Sequence, residues 1–172
     1  MENPNEIINR VANSALVTFD LEEHYVQGER VLIDLKDILF QGLILREKDL
    51  RDFVKEHNWQ QYENKFVAIT CSADAIIPTW AYMLLAVSVN SYARKVVLGT
   101  LQQLDEKIFE EILEKVEWSK YQNAKVVVKG CSKIPVPESA YIEVVNKLKP
   151  FASSIMFGEA CSTVPLYKRP KA

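Results

Sequence analysis

From Lys65 onward the apolar positions switch repeatedly between short unbroken runs and longer stretches with helical spacing. Phe66, Val67, Ala68 and Ile69 before Thr70 form a run rich in strand formers. A helix is predicted over 78–92, with Pro78 suited to its first turn. Val96 to Leu98, closed by Gly99, reads as a second strand. The next helix is the clearest, because Leu101, Leu104, Ile108, Ile112 and Val116 make one apolar stripe. Thr100 and Gln103 stand at capping-box spacing, each able to satisfy an orphan backbone donor. Residues 125–128 form a third strand, 137–148 a helix ended by Pro150, and 154–157 a fourth strand before Gly158.

Strands separated by helices of this length need crossover connections, so an α/β fold follows, with a mostly parallel sheet and helices on both faces. The first sixty residues are less regular. Residues 16–20 and 30–35 look like strands around a turn at Gly28, and 45–57 looks like a charged amphipathic helix. They read as an N-terminal β/α elaboration (1–60) on a βαβ core (65–165), all in one domain spanning 1–172. No low-complexity segment and no solenoid period is visible.

The longest uncharged stretch, 75–93, has about the length of a membrane span. Pro78, Thr79, Ser88, Asn90 and Ser91 interrupt it, so it reads as a buried core helix and no membrane partner is expected. A net charge of -2 offers polyanions no attraction, and no nucleic-acid partner is expected either. The acidic start, Met-Glu-Asn-Pro-Asn-Glu, lacks the features of a secretory signal, which points to the cytoplasm. In that reducing compartment three cysteines are expected as thiols or ligands rather than disulfides.

Those cysteines carry the candidate chemistry. Cys131-Ser132-Lys133-Ile134-Pro135 and Cys161-Ser162-Thr163-Val164-Pro165 share one pattern, and Cys71-Ser72 through Pro78 is a longer version of it. Each cysteine falls just past an expected strand, where open α/β sheets bind ligands. Cys71, Cys131 and Cys161 are therefore the expected ligands of a zinc ion, an iron ion or an iron–sulfur cluster. Ser72, Ser132 and Ser162 would tune the sulfurs from beside them. Asp74 is the nearest fourth ligand, though it also suits a helix cap, and Glu159 could reach the site. His24 and His57 are expected at the surface. Convergence of three sulfurs needs strands one, three and four, counted from Phe66, to be neighbours. The expected order is 2-1-3-4, with Gly130 letting the third strand's backbone approach closely. Nucleotide-binding glycine loops, hydrolase elbows and paired-histidine zinc motifs are absent from the sequence.

The three Cys-Ser stretches, 70–82, 129–141 and 158–167, resemble a bacterial family catalogued as domain-of-unknown-function family 2480. So do residues 40–49 and Thr-Phe-Asp-Leu at 18–21, and the likeness covers nearly the whole chain. The resemblance implies a bacterial, cytosolic protein with no assigned activity. An association of such genes with iron–sulfur assembly favours a cluster or iron over structural zinc, and implies protein partners in that assembly. The expected function is thus a metal- or iron–sulfur-binding accessory protein. An enzyme or sulfur carrier using a cysteine thiolate, best Cys131, is the alternative, and a structural zinc protein or interaction module the third reading. A homo-oligomer stays open.

Overall fold

The structure is a computed structural model that describes residues 16–130, 133–159 and 161–170. Its strands are β1 (Leu16–Asp20), β2 (Arg30–Asp34), β3 (Phe66–Thr70), β4 (Lys95–Leu98), β5 (Lys125–Lys129), β6 (Ser154–Glu159) and β7 (Ser162–Lys168). Its helices are α1 (Glu47–Glu56), α2 (Thr79–Val89), α3 (Leu101–Glu114) and α4 (Glu138–Leu148). No helix among the described residues is long and apolar enough to cross a membrane.

Two compact units divide the chain. One comprises Val26–Ile108, and the other joins Met1–Tyr25 to Phe109–Ala172, so the boundary falls inside α3. In the first, three parallel strands run in the order β2-β3-β4. Two crossovers stepping the same way across a sheet place both helices on one face. Leu50 of α1 and Ala81, Leu85 and Val89 of α2 accordingly pack with Ile33, Val67 and Ile69 in a single cluster. Phe66 and Ala68, on the other face of β3, are buried as well, which is why β3 reads as a continuous apolar run.

The second unit repeats this plan in the order β1-β5-β6-β7, parallel except for β7, which runs antiparallel to β6. Phe109 and Leu113 of α3 and Ala140, Val144 and Leu148 of α4 pack with Phe19, Val126, Val128 and Ile155.

The mostly parallel α/β class is therefore what forms, but the single 2-1-3-4 sheet is not. Expected strands one and two (β3, β4) lie in one sheet, and three and four (β5, β6) in another. The reason is that the two N-terminal strands are integral. β2 aligns with β3, Asp34 opposite Thr70, while β1 aligns with β5, Asp20 opposite Lys129. Each unit thus receives its third strand from the segment read as an elaboration.

The two units are copies. Trp59, Tyr62 and Asn64 before β3 recur at one constant spacing as Trp118, Tyr121 and Asn123 before β5. Pro78, Ala81, Tyr82 and Gly99 recur at that spacing as Pro137, Ala140, Tyr141 and Gly158. Their roles recur too. The Trp59 indole donates to the Val54 carbonyl at 2.8 Å, and that of Trp118 to the Leu113 carbonyl at 2.9 Å. Asn64 and Asn123 both take φ of 60°, the left-handed conformation that asparagine tolerates best after glycine. Asp20 and Asp34 each cap the short 3-10 turn that follows their strand, accepting from the Glu22 and Lys36 amides. The expected capping box also forms, with Gln103 N donating to Thr100 Oγ1 at 3.2 Å and Thr100 N to Gln103 Oε1 at 2.8 Å.

Candidate functional site

At the carboxyl end of the first sheet, Asp34 closes β2 beside the loop that leaves β3. Its carboxylate accepts from Ser72 N at 3.0 Å, Ser72 Oγ at 2.6 Å and Lys36 N at 3.0 Å. The Lys36 ammonium stands 3.6 Å away. Desolvation works against the charge, but the hydrogen bonds from Ser72 and Lys36, with the Lys36 charge, outweigh it and hold the carboxyl below its ordinary pKa. This is a latch. Ser72 ties the loop after the central strand to the strand beside it, which accounts for a serine after the cysteine without any metal.

Replacing Asp34 by alanine is expected to cost about 0.5–2 kcal/mol, the range for losing a side-chain cap. A carboxyl whose pKa is lowered by folding contributes stability that is present above its unfolded pKa and lost as pH falls through the folded one. Wild type should therefore lose stability below about pH 3.8, and Asp34→Asn should lose less over that window. Urea midpoints measured across it check this, and identical pH slopes would contradict it.

Cys71 is half-buried against the core of its unit, its thiol donating to the Ala73 carbonyl at 3.7 Å. Asp74 is exposed and is not the cap expected of it, since the N-cap of α2 is Pro78, with no side-chain hydrogen bond. In the other unit Asp20 holds Lys129 at 3.2 Å, and Glu159 lies 3.9 Å from the same ammonium. Hydrogen bonding to Asp20, with the charges of Asp20 and Glu159, raises the Lys129 pKa. Gly130 permits a close approach as expected, but the neighbour is Tyr141, whose hydroxyl would lie 2.7 Å from an added Cβ. Cys131 and Ser132 lie outside the described residues. Cys161 is exposed in the turn between β6 and β7, and Ser162 pairs across that hairpin with Glu159.

The three-cysteine metal or cluster site is thereby corrected. Its premise was that the strands before Cys71, Cys131 and Cys161 are neighbours, yet β3 pairs with β2 and β4, while β5 and β6 belong to the other sheet. Among the described residues no three His, Cys, Asp or Glu side chains gather in a way that could hold a metal ion. At the spacing of the two copies Cys71 corresponds to Gly130, so the Cys-Ser pairs do not fall at equivalent positions, and Cys161 sits in a hairpin turn. Both histidines are half-buried, and each ring packs against the protein. His24 stacks on Phe19 with centroids 4.8 Å apart, and His57 Nε2 lies 2.8 Å from the Tyr62 hydroxyl. Desolvation lowers the pKa of both rings, more than offsetting the Glu23 charge near His24.

What sequence reasoning missed is on α2. Ala81, Leu85 and Val89 are buried, but Trp80, Met83 and Val87 on its other side are exposed, Met83 by 63% and Val87 by 72%. Between α2 and β4 lies a groove of about 270 Å³ lined in part by Tyr82, Met83, Ala86, Val96 and Leu98. The duplication supplies an internal control. At the positions of Trp80, Leu84, Val87 and Ser88, α4 carries Ser139, Glu143, Asn146 and Lys147, and Glu143 pairs with Lys147 at 3.4 Å. The fold therefore accepts a solvated outer face on this helix. The signal was present as apolar residues three and four positions apart on the side opposite the core stripe.

Fold and site together define a duplicated α/β protein whose two copies differ in the polarity of one helix face. The chain belongs to the family described as Protein of unknown function (DUF2480), whose model matches residues 5–169. Comparison with curated proteins and with solved structures gives no match.

Proposed function

We propose that the protein works by binding a protein partner through the outer face of α2 and the adjoining edge of β4. The observation that carries this reading is the contrast between equivalent helices. Where α4 surrounds its exposed Ile142 with Ser139, Asn146 and the Glu143–Lys147 ion pair, α2 presents Trp80, Met83 and Val87 together to solvent. Exposed apolar patches of several hundred square ångströms mark interaction sites. The polar groups nearby are already engaged: Asp34 is committed to Ser72 and Lys36. Burial pushes the Tyr82 phenol up in pKa, so it stays neutral and suits a contact surface. The absence of charged residues between Ala75 and Ala93 favours an apolar protein surface over a polyanion.

A photo-crosslinking residue placed at Met83, compared with one at its counterpart Ile142, tests this. The two are matched in exposure, at 63% and 65%. Position 83 should give severalfold more protein adducts in the cell than position 142. Equal yields would overturn the reading.

A further inference from the structure

Resting on that reading of the α2 face, we infer that the partner is a second copy of this chain, joined by antiparallel pairing of β4 with its twin. The duplicated unit shows how such a position is filled. β6, the counterpart of β4, is covered along its outer edge by β7, which runs antiparallel from Ser162 to Lys168. Among the described residues β4 pairs with β3 alone, so its outer edge ends the sheet. A strand edge of this kind is a template for another strand. A second β4 would stand where the other unit uses β7, making one continuous sheet from two three-stranded ones.

Charge permits the pairing. With a two-fold axis through the Val97 pair, each Val96 faces the other chain's Leu98 and each Lys95 faces the other chain's Gly99. No like-charged residues then stand directly opposite, an arrangement that would be destabilising. The axis of such an antiparallel pair is perpendicular to the sheet, so the two α2 helices lie on the same side of it. Their facing surfaces carry no charge, because Thr79–Val89 contains none. Contacts of this kind are isologous, one patch serving both partners.

The area is sufficient. Trp80, Met83, Val87 and Leu98 are exposed by 38%, 63%, 72% and 62%. Together they leave roughly 450 Å² on each chain, so these four residues alone would cover about 900 Å² in a pair, close to the threshold of about 1,000 Å² for a specific interface. The β4 backbone and Ile76 add to that.

Sedimentation equilibrium of the full chain, with two charge variants, tests the inference. Wild type is expected at twice its 19.7 kDa. Met83→Glu and Met83→Lys should each keep the wild-type circular dichroism and sediment as monomers. An equimolar mixture of the two should return to the dimer mass, because an isologous contact sets position 83 of one chain against the same surface of the other. A monomeric wild type, or a dimer indifferent to both substitutions, would overturn self-pairing. Adduct mapping at position 83 separates the two levels. A monomer whose adducts lie on a different protein, or on residues 1–15 of the same chain, ends self-pairing, and only the different-protein result keeps the interaction reading. A monomer with no excess of adducts over position 142 ends both.

Discussion

Replacing Phe19 by alanine is expected to cost about 3–5 kcal/mol of stability, the range for emptying a fully buried aromatic site. Phe19 is 2% exposed and lies at the centre of an aromatic stack. Trp118 is 5.2 Å away and His24 4.8 Å away, both stacked, and Tyr121 meets it edge-on at 5.9 Å. The loss combines buried apolar area with ring contacts worth about 0.5–1.5 kcal/mol each. Because β1 carries Phe19 into the core built on β5, the effect also tests the pairing of the N-terminal strand with the distant half of the chain. A urea midpoint corresponding to a loss of less than about 1 kcal/mol would contradict that placement.

Leu85→Ala should cost about 2–5 kcal/mol, whereas Met83→Ala, two residues away on the same helix, should stay within about 0.5 kcal/mol at concentrations too low for association. Leu85 is fully buried against the core of its unit and Met83 is exposed. The contrast checks that α2 has one packed and one open face. Comparable losses at both positions would mean that Met83 is core.

Local elements were largely legible in the sequence. The run 66–70 is β3 as expected, 16–20 is β1, and the helices expected at 45–57, 78–92 and 137–148 appear as α1, α2 and α4, shorter by a few residues. Such signals are local, set by side-chain period and by caps such as Thr100 with Gln103. Strand partnership is not local. Nothing in the apolar run of β5 says that Val126 aligns with Val17, far away in the chain, rather than with β3 beside it in sequence order. The duplication was readable from Trp-x-x-Tyr-x-Asn and Pro-x-x-Ala-Tyr, but two long copies with exchanged first strands have no short period. The Cys-Ser pairs stand one residue out of that register, and their likeness points to a metal centre rather than to the duplication. β7 is hard to see in the sequence because its residues fall in a cysteine motif, although Pro165 is tolerable on a sheet edge. The open face of α2 was hidden for a different reason. A helix apolar all round reads as buried, and only burial of its neighbours tells which side has a partner.

Whether the outer face of α2 holds a protein partner is decided by giving α2 the residues of α4. In a chain carrying Trp80→Ser and Val87→Asn, the residues found at the equivalent positions Ser139 and Asn146, adduct yield from a photo-crosslinker at position 83 is measured beside that of the unsubstituted chain. An unchanged circular dichroism spectrum and a yield reduced to that of position 142 are expected. A yield that stays at the unsubstituted level in the folded chain would contradict a partner on that face.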